Sequence, residues 1–138
     1  ALKRSTLKEL RKQFSWIRKD DGIERDTSPE EAVTLRLGTV LRANEDYIGG
    51  SEYERRLGSR ANSLLGYQQA AWLVEHQDEF PALMALLGKI YIDFPGLVVV
   101  GAGGDRLFPC LGRDGDRWCL RWHWTSGDLI RGGRVASK

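Results

Sequence analysis

The stretch LFPCLGRDGDRWCLRWHW, residues 107–124, decides how the second half of this chain folds. At its centre Asp114-Gly115 is a two-residue hairpin signal, because a type I′ turn needs positive φ at both central positions and Asp-Gly supplies them at small cost. With that turn, Leu111 faces Trp118, Pro109 faces Leu120 and Leu107 faces Trp122. Neighbouring strand residues point to opposite sides of a sheet. The hairpin therefore separates into two stripes. One holds Leu107, Pro109, Leu111, Trp118, Leu120, Trp122 and Trp124; the other holds Arg106, Phe108, Cys110, Arg117, Cys119, Arg121 and His123.

The tryptophan stripe reads as core, since indoles bury large areas and some face of the sheet must be covered. The competing reading is a platform for stacking bases or a ligand. The second stripe is the functional candidate. Arg106, Arg117, Arg121 and His123 either line a solvated face, with Arg121 over Phe108 as a cation–π pair, or form an anion site in which guanidinium forks meet phosphate or carboxylate. The same register sets Cys110 opposite Cys119, close enough to be bridged, although two reduced thiols are the expectation for a cytoplasmic protein. Two cysteines and two histidines give no trustworthy metal-ligand spacing, so no metal and no cofactor is expected.

Working outward, "KIYIDFPG" and "LVVVGAGG" are rich in β-branched residues and end in turn signals, so they read as strands, and Leu129-Ile130 leaves room for one more before a glycine-broken basic tail. The run "LVVVGAGGDR" lacks the following helix that a dinucleotide-binding turn requires, and its glycines read as a turn between strands. The first half reads as helix. Three capping-box patterns, Thr6–Glu9, Ser28–Glu31 and Ser51–Glu54, mark helix starts, the second strengthened by Pro29. The helices expected are Leu7 to about Lys19, Pro29 to about Asn44, a short one after Ser51, one from about Arg60 to Gln77, and one capped by Asp78 that runs through Leu87 and stops at Gly88. The acids and His76 of "EHQDE" are read as helix-end residues rather than a divalent-ion site.

The fold expected is a single α+β domain spanning 1–138: about five helices over residues 1–88, packed on one face of an antiparallel meander of three to five strands over residues 89–138. The N-terminus carries no apolar leader, and no run is long enough to span a membrane, so a soluble cytoplasmic protein is expected, with Ala1 left by removal of an initiator methionine.

The net charge of +2 conceals two basic ends around an acidic middle. Residues 1–19 hold seven Lys/Arg against one acid, and residues 20–100 hold seven against fourteen. Such asymmetry points to nucleic acid or an acidic partner, or to solvated faces that differ in sign. The first helix concentrates it, with Lys8, Arg11 and Lys12 opposite Leu7, Leu10, Phe14 and Ile17. No nucleophile has an evident histidine partner, and no catalytic signature is present. The leading expectation is a non-catalytic binding or adaptor module for a polyanion such as DNA or RNA, through Arg106, Arg117, Arg121, His123, Lys8, Arg11 and Lys12. Two alternatives stand beside it. One is an interaction module that dimerises through the sheet face around Phe108 and Cys110. The other is a small-ligand binder or hydrolase with a pocket between sheet and helices that involves His123, Tyr91 or Asp93.

Overall fold

A computed structural model describes residues 2–138. The element order is α1 (Leu7–Gln13), β1 (Ile23–Asp26), β2 (Arg36–Gly38), β3 (Tyr47–Ile48), α2 (Gly50–Gly58), α3 (Tyr67–His76), α4 (Pro81–Ala85), β4 (Tyr91–Asp93), β5 (Leu97–Val100), β6 (Arg106–Asp114), β7 (Arg117–Trp124), β8 (Leu129–Ile130) and β9 (Gly133–Ser137). Four short α-helices and a curled, mixed sheet of seven strands thus replace the five helices and small meander read from the sequence.

The hairpin β6–β7 is the backbone of the architecture. The first half of β6 pairs with β5 and its second half with β4, while β7 runs along its other side. From β5 the sheet continues to β1; from β4 it continues to β9 and then β2. Pro109 sits in this central strand without loss, because its missing N–H faces the break at 94–96 between β4 and β5, where its carbonyl accepts from the Phe94 N–H (2.8 Å). The basic tail is strand β9, which runs parallel to β4 and makes the sheet mixed rather than a meander. Strands β3 and β8 form a separate two-stranded ribbon.

Helices cover both faces of the sheet, not one. On the tryptophan face α1 brings Leu10 onto Leu97, Val99 and Leu107, joined by Ile17 from the segment after it, while α3 and α4 bring Ala70, Leu73 and Leu83 onto Ile92, Leu111 and Trp118. On the other face α2 sets Tyr53 and Leu57 on Phe108 and Val135. Both stripes of the hairpin are therefore partly core: Trp118 is fully buried and so is Phe108, whereas Trp124 at the far end of its stripe is 60% exposed.

The largest misreading concerns residues 29–44. The "SPEE" box does not start a helix there. The Ser28 hydroxyl instead donates to Asp26 Oδ1 and accepts from Gln68 Nε2 (2.8 Å), and the Pro29 carbonyl accepts from Gln69 Nε2 (2.7 Å). Val33, Leu35 and Leu37 alternate with exposed Thr34 and Arg36, a period of two that ends in β2 pairing with β9. Elsewhere the helices are shorter than expected. The Thr6–Glu9 capping box is formed, but α1 ends at Gln13 rather than Lys19. Gly49 rather than Ser51 caps α2, and α3 begins at Tyr67. Phe80, not Asp78, precedes α4, with Pro81 at its first position.

The turn itself also differs. Only Gly115 has positive φ (63°), as a type II′ turn requires at its first central position, so the loop is Gly115-Asp116 and Asp114 pairs with Arg117. The pairing slips by two residues: Leu111 faces Leu120, Pro109 faces Trp122 and Leu107 faces Trp124. A slip of two keeps every side chain on its own face and changes only its partner. Cys110 therefore faces Arg121 and Cys119 faces Gly112; the two thiols are free and not opposed. Phe108 lies against the His123 ring (centroids 5.2 Å apart) and not against Arg121.

Candidate functional site

The structure sends the seven sequence-derived candidates to different places. Arg106 lies in a surface cleft of about 450 Å³ with Ser51, Glu54, Asp105 and Trp124. Its guanidinium is forked by Glu54 (2.6 and 3.1 Å) on one side and by Glu24 on the other. Two carboxylates already neutralise it, and the cleft has a negative balance. Arg117 is likewise bound to Asp78 (3.0 Å). Arg121 is exposed and meets no carboxylate among the described residues; its Nη2 donates to the Arg113 carbonyl (2.9 Å).

His123 belongs to a buried polar cluster on the α2 face. Its Nδ1 lies 3.3 Å from Asp93 Oδ1, and the Tyr53 hydroxyl donates to Asp93 Oδ2 at 2.7 Å. Register places these groups: Asp93 pairs with Cys110 across β4–β6, and His123 with Phe108 across β6–β7, so all four share one face. Asp93 is wholly buried. Tyr91 meets the His123 ring edge-on at 6.2 Å. The hydrogen bond from His123 to Asp93 raises the imidazole above its ordinary value, against the opposing effect of burial. Burial, reinforced by the Asp93 charge, raises the Tyr53 phenol well above its own. Burial and then Asp93 push the Cys110 thiol up to about 12, which keeps it protonated and non-nucleophilic at neutral pH.

An Asp–His pair invites comparison with a catalytic dyad, but a dyad needs its second imidazole nitrogen aimed at a nucleophile. Here Nε2 of His123 abuts Gly127, so closely that a β-carbon at 127 would collide with it. The cluster acts as a polar strut that ties α2 to β4, β6 and β7. The sequence reading placed His123, Tyr91 and Asp93 together but missed Tyr53, which nothing in its local pattern distinguishes from a core aromatic. Neither the Arg106 cleft nor the apolar groove between residues 31–37 and the α3–α4 corner is lined by His123, Tyr91 or Asp93. On the face around Phe108 and Cys110, α2 covers Phe108 and Cys110 is half-buried.

A larger cavity than the Arg106 cleft lies elsewhere. A groove of about 670 Å³ runs between residues 31–37 and the α3–α4 corner, lined by Val33, Leu35, Leu37, Trp72, Phe80 and Leu86, with Glu31 and Glu79 at its rim.

On α1, Lys8 and Lys12 are exposed and make no ion pair among the described residues, nor do Arg18 and Lys19 just beyond the helix. Arg11 is half-buried, its Nε donating to the Ile17 carbonyl (2.9 Å). The only acid in residues 1–19, Glu9, is occupied by the capping box with Thr6. Beside these cations Phe14, Trp16, Tyr67 and Trp122 form an aromatic cluster, with Trp16 and Trp122 at 5.3 Å and Trp16 38% exposed.

Gln77, which sequence reasoning passed over as part of "EHQDE", has a defined task. Its side chain is buried; Oε1 accepts from the Trp118 N–H (2.8 Å) and Nε2 donates to the Trp118 carbonyl (3.0 Å), so one amide replaces a neighbouring strand at the edge of β7. Gln77→Ala is expected to destabilise the domain by about 1–3 kcal/mol for the groups left unsatisfied. A lowered urea midpoint and faster hydrogen exchange of the Trp118 amide would check this.

These features define an α+β domain with a mixed, two-sided sheet, a structural Asp–His–Tyr strut and an unpaired basic surface at its N-terminal helix. No family model, curated protein or solved structure matches the chain. The described residues hold no cluster of three or more metal-ligating side chains and no helix long and apolar enough to cross a membrane.

Proposed function

We propose that this protein is a non-catalytic binding module for a polyanion, with the nucleic-acid backbone as its ligand and the α1 surface as its contact. The observation that carries this reading is the set Lys8, Lys12, Arg18 and Lys19, which form no ion pair among the described residues, in the same N-terminal segment as the exposed indole of Trp16. Unpaired cations next to an aromatic ring suit a single strand, where phosphates supply the affinity and a base stacks. Arg106 and Arg117 have no part in this contact because carboxylates hold them. Arg121 lies on the sheet face opposite α1, so one strand lying along α1 does not reach it.

Titration of an unrelated single-stranded DNA or RNA at two salt concentrations, read by tryptophan fluorescence, tests the proposal. Saturable binding that weakens steeply with salt is expected. The double variant Lys8→Ala/Lys12→Ala is expected to reduce the slope of log K against log salt by roughly 1.5, and Arg121→Ala to leave it unchanged. Absence of binding at low salt sinks the reading.

The apolar groove favours a second reading, a binder of a small apolar ligand, since its volume falls in the usual range for such sites. Saturable uptake of an apolar fluorophore, abolished by Leu35→Glu, would support it, and uptake unaffected by that change would exclude the groove.

A further inference from the structure

The hydrogen bond from the Thr125 N–H to the Arg106 carbonyl (2.9 Å) fixes the phase of the β6–β7 ladder. In an antiparallel pair the bonded residues alternate. Residues 117, 119, 121, 123 and 125 therefore turn their backbones toward β6, and residues 118, 120, 122 and 124 turn theirs away from the sheet. One end of this outer row is closed and the other half-closed. Gln77 satisfies Trp118, and the Trp124 carbonyl accepts from the Gly127 N–H (2.9 Å). Between them the N–H and C=O groups of Leu120 and Trp122 meet no partner among the described residues. Natural proteins usually blunt such an edge, and here the Gln77 amide and the 124–127 turn do so on either side of a short open window.

The window has a chemical character on each face. On the α2 face Arg121 stands between the two open residues, exposed and without a carboxylate. Arg113, opposite Trp118, belongs to the other face, where its Nε donates to the Gly115 carbonyl (2.7 Å). On the other face lie the half-buried Leu120 and Trp122 and the exposed Trp124.

We infer that the β7 edge takes an extended peptide as an added antiparallel strand, with an acidic residue opposite Arg121 and an apolar residue on each side of it. The geometry sets the division of labour. The residue opposite Arg121 shares its face and makes the charge contact, while its two neighbours stand opposite Leu120 and Trp122, exchange backbone hydrogen bonds with them and lay apolar side chains on the tryptophan face. A second copy fits poorly. A two-fold pairing of β7 with itself about residue 121 sets Arg121 opposite Arg121, and like charges directly opposite oppose pairing; about residue 122 it sets Leu120 opposite Trp124, whose carbonyl the Gly127 N–H already occupies. This site adjoins the α1 surface through Trp122, which meets Trp16 edge-on (5.3 Å), but its recognition runs through the β7 backbone and Arg121, neither of which the α1 contact uses.

The test uses the intact protein and the blocked peptide acetyl-Thr-Val-Glu-Val-Thr-amide, followed by amide chemical shifts and hydrogen exchange. Binding is expected to slow exchange at Leu120 and Trp122. N-methylation of both valines is expected to abolish binding, whereas N-methylation of the glutamate, whose N–H faces away from β7, leaves it intact. Arg121→Glu is expected to weaken binding about fivefold and to favour the same peptide with lysine in place of glutamate. Equal binding of the valine-methylated peptide, or unchanged exchange at Leu120 and Trp122 in millimolar peptide, overturns the inference. Protection of these amides that grows with protein concentration alone also overturns it, by assigning the edge to a second copy.

Discussion

Trp118→Ala is expected to cost about 3–5 kcal/mol, the range for deleting a large buried aromatic side chain. The indole is 2% exposed and sits among Leu73, Leu83, Ile92 and Leu111, where α3 and α4 meet the sheet. Its Nε1–H donates to the Leu83 carbonyl in α4 (3.0 Å), which also accepts from the Leu86 N–H (3.1 Å), so truncation removes one of the two hydrogen bonds to that oxygen. Against a typical total stability of about 5–15 kcal/mol, this change removes a large share. Urea denaturation should show a lowered midpoint with little change in slope. Trp124→Ala, on the same stripe but 60% exposed, should shift the midpoint far less, and equal losses at the two positions would refute the assignment of the core.

Asp93→Ala is the second large effect, because a wholly buried carboxylate serves two partners at once. Its removal strands the Tyr53 hydroxyl and the His123 imidazole, at about 1–3 kcal/mol for each unsatisfied group. Asp93→Asn retains an acceptor for Tyr53 and removes the charge, which separates packing from electrostatics. The charge has a pH signature. Because the folded imidazole titrates above its ordinary value of 6.5, the His123–Asp93 contact contributes fully below about pH 6.5 and is lost as pH rises through the folded value. Melting temperature in wild type should therefore fall relative to Asp93→Asn as pH rises above about 6.5, and parallel curves would refute the linkage. Glu45 and Glu52, held near 2 by Arg56 and by Arg55 with Arg56 respectively, titrate far below this window.

Much of the candidate surface was legible in residues 1–19, where Lys8, Arg11 and Lys12 follow a formed capping box and alternate with apolar residues that do join the core. The sheet candidates were not legible in the same way. Whether Arg106 is free depends on Glu24 and Glu54, which are 82 and 52 residues away in sequence. Likewise the role of Gln77 exists only because α3 ends beside the edge of β7. The segment after Ser28 misled for a related reason: capping-box residues offer local hydrogen bonds, and long-range partners such as Gln68 and Gln69 outcompeted them.

By itself, the sequence determined that the chain reverses near Gly115 and which hairpin side chains share a face, because alternation is a property of extended backbone that survives a two-residue slip. It also determined the strands at 97–100 and 117–124 and the unbalanced charge of the N-terminus. Tertiary structure alone decided which residues stand opposite one another, that helices cover both faces, that the tail enters the sheet parallel to β4, and which arginines keep a free charge. Those outcomes rest on contacts between residues far apart in sequence, whose energies depend on burial and on partners that no local pattern specifies.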